Sequence, residues 1–290
     1  MKFYIVTPSY NAIHWLPRCV RSVADQVGLG VEVHHHVQDG GSKDGSCEWL
    51  AAWAASHAHV PGYHFSYASE PDSGMYDAIN KAWDLMSDDV EMTAHLNCDE
   101  QYLPGALAEV ALWQTRKPDA DVLLGVYIVT DEQNCYICHR PPVMPRAWSS
   151  RLNCACITNS SFYRASTFRR LAPRFDTNWK CVGDLVFFYE LTMKPVRFSL
   201  IPVYTSLFVC TGENLAWTSK AHDEWLSLCA AAPRWYVKVN GFIYRWVNFM
   251  RRVVNVFITT PASYEAYAAD EEVRRKYAIR TPSVAWKQRG

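Results

Sequence analysis

Four short polar segments carry the residue types that chemistry needs: residues 7–11 (TPSYN), 38–45 (QDGGSKDG), 69–74 (SEPDSG) and 97–100 (NCDE). Each is polar, and any one of them alone reads as a turn with a helix cap. Together their carboxylates offer hard oxygen ligands for a divalent cation, or a base within reach of a hydroxyl proton. In the third segment Glu70 and Asp72 flank a proline ahead of a glycine. A helical pattern follows, with Met75, Ile79, Ala82, Trp83 and Met86 on one face and Asp77, Asn80 and Lys81 on the other.

The elements that must hold these segments alternate regularly. FYIVT, VEVHHHV, YHFSYAS and VEMTAHL read as strands, with helices over residues 14–26, 44–58 and from Met75 onward between them. This β-α-β-α-β-α-β order predicts a mostly parallel sheet covered by helices on both faces. Each polar segment follows one of the four strands, so all four share the carboxyl edge, where ligands bind in such sheets. Pro104 is expected in the first turn of the next helix, GALAEVALWQ. Farther on, VLLGVYIV and FSLIPVY read as strands, and LVFFYELTM reads as a helix opened by Asp184, which by itself would be a cap.

The 29 basic and 29 acidic residues cancel, which argues against a nucleic-acid binder that works by neutralising phosphates. The first apolar run stops at Thr7 and Pro8, too short for an export signal, and no window reaches the about 18 apolar residues of a spanning helix. A cytoplasmic protein is expected, with any membrane contact peripheral. Its ten cysteines then read as reduced thiols. Cys135-Tyr136-Ile137-Cys138-His139 matches a haem-attachment pattern, and Cys154 and Cys156 stand where they could complete a zinc site. The second pair is C-x-C, however, and buried cysteine is an ordinary small hydrophobe, so the favoured reading has no metal there. His34, His35 and His36 alternate between the faces of a strand and cannot converge on one ion.

Five ordered motifs, TPSYN, VQDGGSKDGS, SEPDSGMYDAINKAW, LNCDEQYLPGAL and ITNSSFYR with VGDLVFF, resemble the family 2 glycosyltransferases over residues 3–206. The resemblance implies an α/β fold of the GT-A (Rossmann-like) type, a mostly parallel sheet flanked by helices. It implies inverting transfer of a sugar from a nucleotide-diphosphate donor, UDP by resemblance, to the hydroxyl of a glycan or lipid-linked acceptor. Residues 1–210 would form the catalytic domain, with a nucleotide-sugar-binding half (1–100) and an acceptor-side half (101–210). Residues 211–290 would be a mostly helical, aromatic and basic extension.

Residue by residue, the resemblance implies that Asp39 hydrogen-bonds the nucleobase in a pocket lined by Thr7, Ser9 and Tyr10. Glu70, Asp72 and Gly74 would face the donor sugar or diphosphate, with Asp77, Asn80 and Lys81 continuing along the helix. Asp99 corresponds to the last acid of the family's D-x-D motif and would bind a divalent cation, Mn2+ or Mg2+. Asn97 stands where many relatives have the first Asp, and with Cys98 it is assigned to the donor. Asp184 would be the general base, preceded here by Gly183 where the family commonly has Glu or Ala. Tyr163 and Arg164 would shape the acceptor side. Asp77 and Lys81 read equally well as an i,i+4 ion pair, and Asp39 also reads as an Asx-turn.

Two other readings share these residues. A nucleotidyltransferase would need a basic, glycine-rich loop after the first strand, which TPSYNAIHW lacks. A non-catalytic nucleotide-sugar- or carbohydrate-binding protein of the same fold would have no need to keep both Asp99 and Asp184. In the tail, residues 236–258 read as a helix with Val239, Phe242, Ile243, Trp246, Val247, Met250, Val253, Val254 and Phe257 on a broad apolar face. Lys238, Arg245, Arg251 and Arg252 flank or oppose it. Such a helix reads first as packed on the catalytic domain or in a homodimer, and second as a peripheral contact with the inner face of a membrane.

Overall fold

The computed structural model describes residues 1–153, 156–212, 214–215, 218–269 and 271–286. The expected alternation forms β1 (Lys2–Ser9), α1 (Leu16–Ala24), β2 (Glu32–Asp39), α2 (Ser46–His57), β3 (Tyr63–Ser69), α3 (Met75–Asp84) and β4 (Met92–His95). The strands lie side by side in the order β3-β2-β1-β4, and every pair is parallel. β1 sits in the middle and is buried along nearly its whole length, as a strand covered on both faces must be.

The chain continues through β5 (Gln101–Tyr102), α4 (Ala106–Arg116), β6 (Val122–Asp131), β7 (Tyr136–Arg140), α5 (Ala147–Ser150), β8 (Ser161–Arg164), α6 (Ala165–Leu171), α7 (Gly183–Thr192) and β9 (Phe198–Cys210). The same sheet extends as β4-β8-β6-β9-β5, with β7 on β6. β8 is antiparallel to both β4 and β6, whereas β6 and β9 are parallel. The wholly parallel character therefore belongs to the first half of the chain. Pro104 lies ahead of α4 and not in its first turn, because Gly105 at φ 70° takes the N-cap position.

Two apolar layers enclose the sheet, and β1 feeds them alternately. Phe3 and Ile5 pack with Cys19 and Val23 of α1 and Leu107 and Val110 of α4. Tyr4 and Val6 pack on the other side with Ile79 and Trp83 of α3, Phe168 of α6 and Phe187 of α7. This is the period of two expected of a strand. Each such fully buried side chain contributes about 1.5–3 kcal/mol. The three histidines obey the same alternation. His35 meets the Thr7 hydroxyl (2.9 Å) and Tyr63 (3.1 Å), while His34 and His36 share the Ser66 hydroxyl on the opposite face (3.0 and 2.8 Å).

Residues 211–290 are more than a helical appendage. After α8 (Ser219–Ala231) and α9 (Arg234–Asn255) comes a hairpin, β10 (Ser263–Tyr267) and β11 (Arg274–Ala278). Its Tyr264 and Ala266, with Ile279, pack on Leu103, Ile128 and Leu207 of the main body. Arg274 grips the Asp25 carboxylate with two hydrogen bonds, at 2.6 and 2.8 Å. The broad apolar face expected of α9 is divided. Tyr236, Ile243 and Val247 are buried against Val143 and Leu152, and Arg251 is buried with them, its Nε donating to the Pro141 carbonyl (2.9 Å). Trp235, Val239, Phe242, Trp246 and Phe249 recur every three to four residues on the exposed side. Among the described residues, no helix is long and apolar enough to cross a membrane.

Cys138 packs with Tyr127 and Val129, Cys135 is exposed, and Cys154 lies outside the described residues. Both ring nitrogens of His139 are engaged, by Tyr136 and Asn255 at 2.7 Å each.

Burial lowers the pKa of His34 to about 4, of His35 and His95 to about 3, and also lowers that of His36. Below pH 6.5 the unfolded chain takes up protons that these folded rings refuse. Stability must therefore fall with pH between about 6.5 and 4, by about 1.4 kcal/mol per pH unit for each ring still neutral in the folded state. Urea midpoints measured from pH 7.5 to 5 should decline steadily. A flat profile would show that the rings take up protons in the folded state as readily as in the unfolded one.

Candidate active site

The register of the first three strands brings Ser9, Asp39 and Ser69 to one level at the carboxyl edge. Asp39 is fully buried there. Its Oδ2 accepts the N–H groups of Gly41 (3.0 Å) and Ser42 (2.9 Å) and the Ser69 hydroxyl (2.6 Å), and its Oδ1 accepts the Ser42 hydroxyl (2.5 Å). Burial alone would push this carboxyl up, but the hydrogen bonds from Ser42 and Ser69 outweigh it and hold the group below the usual carboxylate range. A methyl group on Gly40 would meet Asp72 Oδ2 at 2.8 Å and the Tyr10 ring at 3.1 Å. Only glycine lets these two side chains close over the end of β2. The Tyr10 side chain is 66% exposed, and the Ser9 hydroxyl is buried without a partner among the described residues.

The acids around the start of α3 are caps. Asp72 Oδ1 accepts the Gly74 N–H (2.8 Å), and Asp77 Oδ2 accepts the Ser73 N–H (2.9 Å). Lys81 reaches Glu70 (3.2 Å), Asp77 (3.8 Å) and the Pro71 carbonyl (3.1 Å). The i,i+4 pair therefore exists, and Glu70 is the nearer partner. At these exposures the pairs contribute under about 1 kcal/mol. Their effect is to hold an ammonium group at the rim.

Glu100 organises the turn after β4. Its buried carboxylate accepts the Asn97 N–H (3.0 Å) and the Asn159 amide (2.8 Å). Among the described residues, no other residue donates a hydrogen bond to the neighbouring Asp99 carboxylate. Burial pushes Asp99 up, with Arg18 of α1 opposing, and burial together with Asp99 pushes Glu100 up. The side-chain oxygen of Asn97 is buried without a partner. A hard cation fits this donor set, since an acid and an amide oxygen await a partner and a positive charge would relieve the crowded carboxylates. Among the described residues, no three His, Cys, Asp or Glu side chains gather at one point, so substrate oxygens and water would complete the coordination.

Asp184 lies in the first turn of α7. Its N–H donates to the Tyr76 hydroxyl (3.2 Å), and its Oδ1 accepts the Leu185 N–H (2.8 Å). Burial pushes its carboxyl above the ordinary range, and the group is close enough to Glu100 to add to that residue's upward shift. A methyl group at position 183 would meet the Tyr76 ring at 2.5 Å, so Gly183 is the counterpart of Tyr76. No side chain within the helix caps α7. Glu224 of α8 does so from a distance, accepting the N–H groups of Lys180 (2.8 Å), Cys181 (2.8 Å) and Val182 (3.1 Å). The Lys180 ammonium reaches back to the Ser73 carbonyl (2.6 Å), beside Gly74.

Five of the expected site residues do not present their side chains to this edge. The Thr7 hydroxyl turns inward to His35, and Cys98 packs with Leu16, Val37 and Leu50. Asn80 exchanges two hydrogen bonds with the Phe175 backbone (2.9 and 3.0 Å) and ties α3 to the segment before α7. Tyr163 is buried against Phe168 and Phe187. Arg164 pairs with Met92, at the amino end of β4, and bonds the carbonyls of Pro118 and Ala120. The antiparallel course of β8 carries that residue away from the rim. The sequence reading passed over Arg18, Tyr76, Lys180 and Glu224. Lys180 was detectable, four residues before Asp184. Glu224 left no local signal, because its partners lie more than forty residues earlier.

The family model for glycosyl transferase family 2 matches residues 4–201. An uncharacterized glycosyltransferase of Mycobacterium tuberculosis, found in two strains, is 38% identical over 77 residues. That match covers 27% of this chain and 26% of the relative, so the chain spans about a quarter of the length of the curated relatives it matches. Among solved structures, the fold is similar to S. aureus TarS 1-349 in complex with UDP-GlcNAc (TM-score 0.59, 16% identity, 79% of this chain and 64% of that one). It is also similar to a mannosyltransferase from Pyrobaculum calidifontis in complex with GDP-Man and Mn2+ (TM-score 0.59, 16% identity, 89% and 76%).

Glu224→Ala would leave three consecutive N–H groups without their acceptor and should destabilise the chain by about 1–3 kcal/mol in urea unfolding. Glu224→Gln, which keeps one acceptor oxygen, should recover part of that loss. Stability unchanged in the alanine variant would mean that water caps α7 equally well.

Proposed function

This chain belongs to glycosyl transferase family 2, and on that premise we propose that it moves a sugar, with inversion, from a nucleotide-diphosphate donor to a hydroxyl of a glycan or lipid-linked acceptor. The observation that carries this reading is the assembly on one sheet edge of Asp39, the turn holding Asn97 and Asp99, and the start of α7 with Asp184. The nucleoside lies against Tyr10, Ser9 and Asp39. UDP is the proposed donor nucleotide on the family resemblance, and an ionised Asp39 can accept the N–H of its uracil imide. Asp72 and Glu70, with the backbone at Gly74, border the diphosphate and sugar. Lys81 and Lys180 supply positive charge along the same rim.

Cleavage at the anomeric carbon leaves negative charge on the departing diphosphate, which a bound Mn2+ or Mg2+ held by Asp99 and Asn97 would neutralise. The proton of the attacking hydroxyl goes to Asp184, on the side of the sugar opposite the diphosphate. The Leu185 N–H holds one of its carboxylate oxygens, leaving the other for the acceptor. Because burial raises the Asp184 pKa, kcat/KM should climb with pH through a value above the usual carboxylate range.

Release of nucleoside diphosphate from a panel of UDP- and GDP-sugars, with Mn2+ or Mg2+, provides the assay. Asp184→Asn should reduce turnover by about 10²-fold or more while donor affinity survives. Equal losses of affinity and turnover would reassign Asp184 to binding. Asp99→Ala should also cut turnover severely in a folded chain, and a wild-type rate would remove the cation from this position.

We place the acceptor at a membrane surface. The exposed face of α9 presents Trp235, Phe242 and Phe249, 66%, 70% and 59% exposed, with the Arg245 guanidinium over the Phe242 ring. Aromatic and basic side chains in this arrangement suit an anionic lipid interface. Cosedimentation with anionic vesicles should be strong at low salt and weaken as salt rises. Failure to bind, with self-association in its place, would assign the face to a homodimer.

A further inference from the structure

We propose that a groove along α9, outside the site built on the sheet edge, binds a phosphate or phosphodiester group. Two cavities of about 470 and 540 Å³ share Arg140 and Tyr244 in their walls. The first extends to Asn153 and Trp225, the second to Arg252 and Trp286. Among the described residues, every charged side chain lining either cavity is an arginine: Arg140, Arg251 and Arg252.

Arg140 ends β7, where Pro141 and Pro142 stop the strand. Its Nη1 donates to the Val284 carbonyl (2.9 Å), its guanidinium lies 6.0 Å from the centre of the Trp286 ring, and its Nε is buried without a hydrogen-bond partner. Among the described residues, neither Arg140 nor Arg252 forms an ion pair. Arg251 adds its charge from the buried side of α9. A cleft lined by one sign of charge, with low-dielectric walls, concentrates counter-ions. The planar guanidinium fork matches the oxygens of a phosphate, and the Tyr244 and Trp286 rings suit the organic part that carries it.

One wall of the groove is tied to the start of α7, since Trp225 in it follows Glu224, which accepts the N–H groups ahead of that helix. The phosphate is thus assigned to the acceptor. That role rests on the transfer reading, whereas binding of the anion does not.

The test is calorimetric titration of the full chain with sn-glycerol 3-phosphate, at low salt and with EDTA so that no cation draws phosphate to Asp99. A second arm measures binding to phosphatidylcholine vesicles with and without phosphatidic acid. Affinity should fall about tenfold in Arg140→Gln and in the exposed, fold-neutral Arg252→Gln. Arg140→Lys should lose less, and Tyr10→Ala, at the nucleoside pocket, nothing. Losses in both arms identify a lipid-borne phosphate, and losses confined to the first arm a soluble one. No binding, or binding that both arginine variants leave intact, overturns the proposal. Because no donor sugar is present, a chain inactive in transfer can still pass.

Discussion

A carboxylate withdrawn from water must be met by hydrogen-bond donors, and in this protein that requirement ties the site together. Asp39 gathers the loops after β2 and β3 by accepting from Gly41, Ser42 and Ser69. Glu100 closes the turn after β4 and joins it to Asn159, and Glu224 gathers the start of α7. Each acid ties backbone or side-chain donors of its surroundings to one point. Asp99 differs from these three: it is half-buried, and no other described residue donates a hydrogen bond to it.

The start of α7 and the rim around the start of α3 form one mechanical unit. Tyr76, on α3, follows the capped turn at Gly74 and accepts the Asp184 N–H, while Asn80 on the same helix holds Phe175 and Lys180 bonds Ser73. α7 and α3 are thereby cross-braced by contacts that leave their functional groups at the edge. The last eighty residues complete this frame. α8 supplies Glu224, the hairpin covers the far strands, and Arg274 fastens it to Asp25 below α1. The extension shares apolar clusters with the main body, α9 through Val143 and Leu152 and the hairpin through Leu103, Ile128 and Leu207.

Much of the first hundred residues was legible because its determinants are local. Strand alternation, helical spacing and turn chemistry each act over a few neighbours, and FYIVT, VEVHHHV and YHFSYAS form strands essentially where those patterns place them. The position of the rim followed from topology alone, since parallel strands linked by helices end on one side. The same local rules could not say which way an individual side chain turns. Thr7 and Ser9 lie two residues apart on the same strand face, yet the Thr7 hydroxyl is captured by His35 while the Ser9 hydroxyl is left without a partner. Motif order suggested Arg164 for the acceptor side, but the reversal of β8 carried it to the opposite edge.

By itself the sequence determined the order of strands and helices over about the first hundred residues, the family, and the acids that end those strands, because these depend on periodicity and on residues close together in the chain. Tertiary structure alone decided which of those acids are satisfied and which are left open. It also decided that α9 buries one stripe and exposes another, and that Glu224 caps the helix of Asp184. These outcomes depend on burial and on partners between forty and two hundred and fifty residues apart. No pattern within a short window records such partners, since their interaction exists only once the sheet has brought them into contact.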